Sequence, residues 1–287
     1  MNHAYATPAL VAGIYLLLFA LERLAPLRRL KHGMLRRLPV NAALSALAVA
    51  TAAVTVGPIA SFTLDLTGRA HWGLLHLISL PEGARLCLGV ALMDLSFYYW
   101  HRANHRIPFL WRFHNVHHID PDLDVTTALR FHIGEVALSS LFRVVQISLI
   151  GPPVWMFLLY EACFQINTVF QHSNIRLPLA VERRLNMLIV TPRMHGVHHS
   201  QVYNETNSNY SVIFPWWDRL HGTLRLNVPQ SRIRIGIAAY SQAGDNTLGR
   251  ALALPFTAQR LYWRTPEGRP VEGRPAPLPG PVGRMAE

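Results

Sequence analysis

Apolar stretches long enough to cross a bilayer, ending beside basic or histidine-rich residues, constrain this chain more than any other feature. A hydrocarbon core about 30 Å thick takes roughly 20 helical residues, fewer where tilt or neighbours help. One such stretch covers residues 8–24 and a second covers 40–60. The first has no basic leading region and no small-residue cleavage site, so it reads as an anchor and not as a removed signal. The loop between them carries Arg23, Arg28, Arg29, Lys31, Arg36 and Arg37, which places it on the cytoplasmic side, facing anionic lipid. Residues 71–80 read as interfacial or re-entrant. Residues 84–100 cross back and deliver His101 and His105 to the cytoplasm. A second hairpin has two short arms, 133–150 and 154–170, separated by Gly151-Pro152-Pro153. The expected class is an all-α integral membrane protein, with about four transmembrane helices in two hairpins and a cytosolic histidine-rich helical cap. An Ala/Leu/Arg-rich composition suits a bacterial source, which would make the membrane the inner one.

Composition narrows the function classes. Charged residues are 15% of the chain against 51% hydrophobic, whereas an ordinary soluble domain carries roughly 25% charged. The net charge is +11, yet no basic run outside the membrane loops is interleaved with stacking aromatics, which argues against nucleic-acid binding. Cys87 and Cys163 both sit in apolar runs, excluding a disulfide framework, a cysteine-based zinc site and an iron–sulfur cluster. No repeat or internal boundary shows. Residues 1–264 read as one domain with its motif core at about 94–223, and 265–287 as a disordered Pro/Gly-rich tail.

Ten of the fifteen histidines fall between His101 and His199. His101 and His105 are spaced i, i+4, on one helical face. His114, His117 and His118 are spaced i, i+3, i+4, and His195, His198 and His199 repeat that form. His132 and His172 stand at the two ends of the second hairpin. Protonated, such groups would repel; metal ions replace the protons, and imidazole suits iron, zinc and copper. Ten rings exceed the needs of one ion and fit two ions taking four or five each. The sequence contains no HExxH, GxSxG, GxGxxG or Walker A pattern, and its carboxylates are too sparse for a glutamate-rich di-iron bundle. A nitrogen-ligated, redox-capable metal pair at a membrane surface points to oxygen activation for attack on a lipid C–H bond. Asp94 shares a face with His101 and His105, Glu135 follows His132 by three, and Asn209 and Tyr210 follow the third group. All four are candidates for orienting the ligands. Trp100, Trp111, Trp216 and Trp217 read as interfacial belt residues, and His3, His32, His71, His76 and His221 as non-ligands.

The succession HRANH, HNVHH and RMHGVHHS, followed by NSNY and WDRLHGT, resembles the fatty acid hydroxylase superfamily, also called the sterol desaturase family, over residues 94–223. The resemblance implies an integral-membrane, non-haem di-iron oxygenase using O₂ and two electrons from a separate donor. Members hydroxylate or desaturate sterols, fatty acyl chains, carotenoids or alkylglycerols. It implies His101, His105, His114, His117, His118, His195, His198 and His199 as metal ligands, with His172 as an additional one. His132 falls in an element that in relatives reads His-Pro-x-Glu, here with isoleucine for proline. Gln171 stands where relatives often carry another histidine, and Ser211 replaces a glycine. The sequence holds no cytochrome, flavin or iron–sulfur motif, so an external reductase, ferredoxin or cytochrome-type donor is expected, docking on a basic face. Two rivals stand beside the hydroxylase: a desaturase on the same site, and a membrane zinc- or copper-binding protein.

Overall fold

The computed structural model describes residues 6–274 and Met285; most of the expected 265–287 tail lies outside them. The chain is helical, with no strand among the described residues. The long elements are α1 (Ala6–Leu24), α2 (Met34–Val54), α3 (Val56–Arg69), the single turn α4 (Leu74–Leu77), α5 (Glu82–Arg106), α6 (Pro108–His118), α7 (Ile133–Ile150) and α8 (Val154–His172). Short helices follow: α9 (Leu179–Leu185), α10 (Pro192–His198), α11 (Tyr203–Thr206), α12 (Trp216–Leu220) and α13 (Leu248–Ala253).

Local chemistry sets the breaks that matter. Ile107 precedes Pro108 and is driven out of the helical region to φ −93°, ψ 114°, which ends α5. Pro108 then opens α6, where its missing N–H costs nothing. The chain therefore turns sharply between the first and second histidine groups. Gly151, at φ +66°, ends α7 in the left-handed region, and the prolines after it start the return of α8.

Helix α3 packs along α7, α1 along α8, and α5 against both α7 and α8. Their shared core includes Leu64, Met93, Phe97, Ile147, Met156 and Tyr160. Leu16, Leu17, Phe62, Leu141, Leu149 and Leu158 point outward and are more than half exposed, an arrangement that suits lipid and not water. Two stretches, Met34–Leu77 and Ile133–Ile150, are long and apolar enough to cross a membrane. The ends of α1, α5 and α8 and the starts of α2 and α7 meet at one end of the bundle. Leu27 N–H donates to the Asn174 carbonyl there, Arg37 meets Asp120, and His114 meets Glu135.

At the opposite end the turn before α4 is locked to the α7–α8 turn. A Cβ on Gly73 would lie 2.5 Å from the Gly151 Cα, and one on Gly151 would lie 2.4 Å from the Trp72 carbonyl. A side chain at residue 151 meets both this backbone and an unfavourable φ. Gly151→Val is expected to destabilise by on the order of 2–3 kcal/mol, read as a lowered unfolding midpoint in detergent.

Two arginines of the basic loop depart from the expected role of facing lipid, while Arg29, Lys31 and Arg36 are exposed. Arg28 and Arg37 are buried. Arg37 grips Asp120 with Nε and Nη2 at 2.7 and 2.9 Å and reaches Asp124 with Nη1 at 2.9 Å. Arg28 Nη1 donates to Gln230 Oε1 at 2.6 Å, and it is what a Cβ on Gly196 would strike first. These arginines tie the first hairpin to the segments beside the second and third histidine groups. Beyond Thr265, Arg274 Nη1 reaches the buried Glu205 at 2.8 Å.

Candidate metal centre

The bend at Ile107–Pro108 folds α6 back on the end of α5, and α8 and α10 pack together beside them. Nine of the ten expected histidines converge there as two groups. His101, His105, His114, His118 and His198 form one, and His117, His172, His195 and His199 the other, with candidate ligand atoms within 4.8 Å of one another in each. Spacing made this possible: i+3 and i+4 on α6 send His114 and His118 to the five-membered group and His117 to the other. Each histidine motif thus serves more than its own neighbours.

Five of the nine rings are aimed by their Nδ1. His101 Nδ1 faces the Tyr210 carbonyl at 2.8 Å and His198 Nδ1 the Ser208 carbonyl at 2.7 Å. His172 Nδ1 faces the Thr168 carbonyl at 2.7 Å, and His117 Nδ1 the Arg130 carbonyl at 3.3 Å. His114 Nδ1 lies 2.8 Å from Glu135 Oε1. A carbonyl or carboxylate can only accept, so in each of these rings the proton sits on Nδ1 and Nε2 carries the lone pair. Burial, reinforced by neighbouring rings, lowers His117, His118, His195 and His199 well below the ordinary imidazole value and brings His198 to about 3. They are neutral at pH 7, the form that ligates metal.

These residues fit a pair of cations. In the four-membered group, His117 Nε2 and His172 Nε2 lie 3.0 Å apart with both protons already placed on Nδ1, so two lone pairs face each other. His172–His195 and His195–His199 Nε2 pairs follow at 2.9 and 3.1 Å. In the five-membered group the Nε2 atoms of His105, His114, His118 and His198 are buried with no hydrogen-bond partner. Buried acceptors without donors are costly, and a cation at each focus would satisfy all of them.

The remaining expected residues take other places. His132 stands outside both groups: its Nδ1 accepts from Gly134 N–H at 2.9 Å to cap α7, and its Nε2 meets the Leu252 carbonyl at 3.1 Å. Glu135 is the residue of that element that reaches one of the clustered rings, His114. Asp94, expected to hold a ligand ring, instead accepts from Ile213 N, Phe214 N and Trp217 Nε1. Its side chain leaves α5 towards the loop before α12, not towards the histidines. Tyr210 orients His101 through its backbone carbonyl and not its phenol. Asn209 adopts φ +54° and clamps the Met194 carbonyl and the backbone of Arg225, which positions the third group. Trp111 and Trp217 are drawn inward, Trp111 against His105 and His118 with ring centroids at 4.8 and 5.3 Å. Sequence reasoning missed the four orienting carbonyls, which carry no side-chain signature. It also missed Asp218, which accepts from Tyr210 N and Ser211 N.

Residues 86–223 match the fatty acid hydroxylase family. An ornithine lipid hydroxylase of Rhizobium tropici is 30% identical over 62% of this chain and 52% of its own length. A Danio rerio alkylglycerol monooxygenase is 29% identical over 53% of this chain and 33% of its own. Human cholesterol 25-hydroxylase is 28% identical over 52% of this chain and 54% of its own. The chain thus spans about half the length of the first and last of these, and a third of the other. No solved structure matches it. Over residues 86–223, then, this chain is similar to the fatty acid hydroxylase family.

Proposed function

We propose that this chain is a membrane-bound non-haem di-iron oxygenase that hydroxylates an unactivated C–H bond of a lipid, using O₂ and two electrons from a separate donor. The observation that carries the reading is the pair of buried histidine groups with their lone pairs turned inward. The three relatives named above are lipid hydroxylases or monooxygenases, which supports the substrate class. Bound iron would supply the reductive activation of O₂ that an unactivated C–H bond requires.

The chain's own residues hold, orient and shield. His101, His105, His114, His118 and His198 would take one iron, and His117, His172, His195 and His199 the other. The Tyr210, Ser208, Thr168 and Arg130 carbonyls and the Glu135 carboxylate keep the Nε2 atoms facing the metals. His114, His117, His118, His172, His195, His198 and His199 are buried, which keeps bulk water from the centre. The helix ends that gather there support a topology of four crossings in two hairpins, with the centre at the cytoplasmic face beside the basic loop. A lipid would then reach it from the bilayer.

Glu135→Ala removes the group that orients His114. It is expected to weaken iron retention about 10- to 100-fold, measured by chelator competition. The function itself is tested by giving the iron-loaded protein a lipid extract, a reductant and ¹⁸O₂. Transfer of one labelled oxygen into a lipid is expected. A product that loses two hydrogens and gains no label would establish a desaturase instead, and no product with iron bound would contradict the oxygenase reading.

A further inference from the structure

Two lines of oxidisable rings run from the five-histidine group to the surface. On the first, Tyr210 lies against His105 at a centroid distance of 5.3 Å, Tyr98 lies 6.0 Å from Tyr210, and Tyr99 lies 5.5 Å from Tyr98. On the second, Trp111 contacts His105 at 4.8 Å, Trp263 stacks on Trp111 at 6.3 Å, and Tyr203 meets Trp263 at 5.2 Å. Both lines end on a tyrosine that is 49% exposed. By contrast, the non-histidine ring that the four-histidine group touches, among the described residues, is Phe131, stacked on His117 at 4.7 Å. Phenylalanine is far harder to oxidise than tyrosine or tryptophan.

The first line also has somewhere for protons to go. Tyr99 Oη lies 2.8 Å from His221 Nε2, and His221 Nδ1 lies 2.8 Å from the Trp217 carbonyl. The carbonyl only accepts, so His221 carries its proton on Nδ1 and presents Nε2 as the acceptor for the Tyr99 hydroxyl. Tyr98 Oη lies 3.0 Å from Thr223 Oγ1, which donates to Asp218 Oδ1, so Tyr98 too points its proton towards a base.

Resting on the redox-iron reading of this same site, we propose that the two aromatic lines are an escape route that carries oxidising equivalents away from the metal centre to the surface when no lipid consumes them. Direction follows from chemistry. Tyrosine and tryptophan give up an electron to a strong oxidant, but they accept none from a biological reductant, so these rings export electron vacancies and do not import donor electrons. On the first line one electron passes inward from Tyr99 through Tyr98 and Tyr210 and reduces the oxidised centre by one equivalent. The Tyr99 hydroxyl proton moves to His221 Nε2, leaving a neutral tyrosyl radical at the surface. A small-molecule thiol then returns a hydrogen atom to Tyr99, becoming a thiyl radical, while His221 releases its extra proton to solvent. The histidine ligands, the nearest alternative targets, are spared.

The test uses iron-loaded protein in detergent, with hydrogen peroxide as oxidant and no lipid. Peptide mass spectrometry maps oxidised residues, and electron paramagnetic resonance reads the tyrosyl radical. In the unaltered protein, oxidation is expected at Tyr99 and Tyr203, with the ligand histidines intact. In the Tyr98→Phe/Trp263→Phe protein, which keeps an aromatic ring at both positions but interrupts both lines, the tyrosyl signal should fall several-fold. Oxidation should then move to the ligand histidines, with loss of iron. Equal ligand damage in both proteins, or undiminished oxidation of Tyr99 and Tyr203 in the variant, would overturn the escape route and leave the oxygenase reading standing. No oxidation in either protein, with iron verified as bound, would overturn the redox reading and the route with it.

Discussion

The His198→Ala protein is expected to fold, to lose the iron held by the five-histidine group, and to show lipid turnover at background. His198 is fully buried, its Nδ1 is held by the Ser208 carbonyl, and its Nε2 has no partner within the chain. Alanine removes a proposed metal ligand and a ring that touches His101, His105 and His118 at 4.6 to 4.8 Å. Metal affinity at that group should drop at least ~100-fold, more than loss of an orienting partner alone would cause. His117→Ala should do the same to the four-histidine group. Elemental analysis with activity on the same preparation checks both. Retained metal and full turnover in either variant would sink the ligand assignment.

Removing Arg37 should cost more stability than any other single surface-to-core change on the basic loop. Its guanidinium is the shared partner of Asp120 and Asp124, all three being buried. Deleting one side of a buried ion pair leaves uncompensated charge and typically costs about 3–5 kcal/mol, so Arg37→Met should fall in that range by denaturant or thermal unfolding in detergent. A change below about 0.5 kcal/mol would show the network to be incidental. The same network sets a pH window. Burial pushes the Asp120 carboxyl up, but Arg37 and Arg130 outweigh it and hold the group at about 2, below the ordinary 3.8. A carboxyl depressed in the folded state contributes stability above its unfolded value and loses it as pH falls through its folded value. Stability should therefore decline by about 2 kcal/mol between roughly pH 4 and pH 2, and the decline should be absent in Asp120→Asn.

Most of the candidate metal centre was legible because its signal is periodic. Two histidine motifs at i, i+3 and i+4 and one at i, i+4 place their rings on shared helical faces, and nine of the ten expected residues meet. What stayed hidden depends on partners distant in sequence. His132 lost its place because Gly134 N–H offers its ring a cap and the Leu252 carbonyl fills its other nitrogen, and neither is visible from local spacing. Asp94 shares a helical face with His101 and His105, yet face alone does not say which neighbour the carboxylate meets. The loop from Ile213 to Trp217 met it instead. In the fold, apolar runs marked the helices, while charge alone did not show that two arginines of the basic loop turn inward. Charge count places arginines near a membrane surface, but Arg28 and Arg37 are consumed by Gln230, Asp120 and Asp124, residues about 80 to 200 positions away. The Tyr210 carbonyl and its like carry no side-chain signal at all.

Metal content of the anaerobically purified protein, by elemental analysis in detergent, tests the central claim most directly. On the proposed reading the two histidine groups hold two irons per chain, retained through gel filtration and lost together with activity on chelation. Failure to take up iron even after Fe(II) reconstitution, with zinc or nothing in its place, would contradict the oxygenase reading and leave a metal store or zinc site.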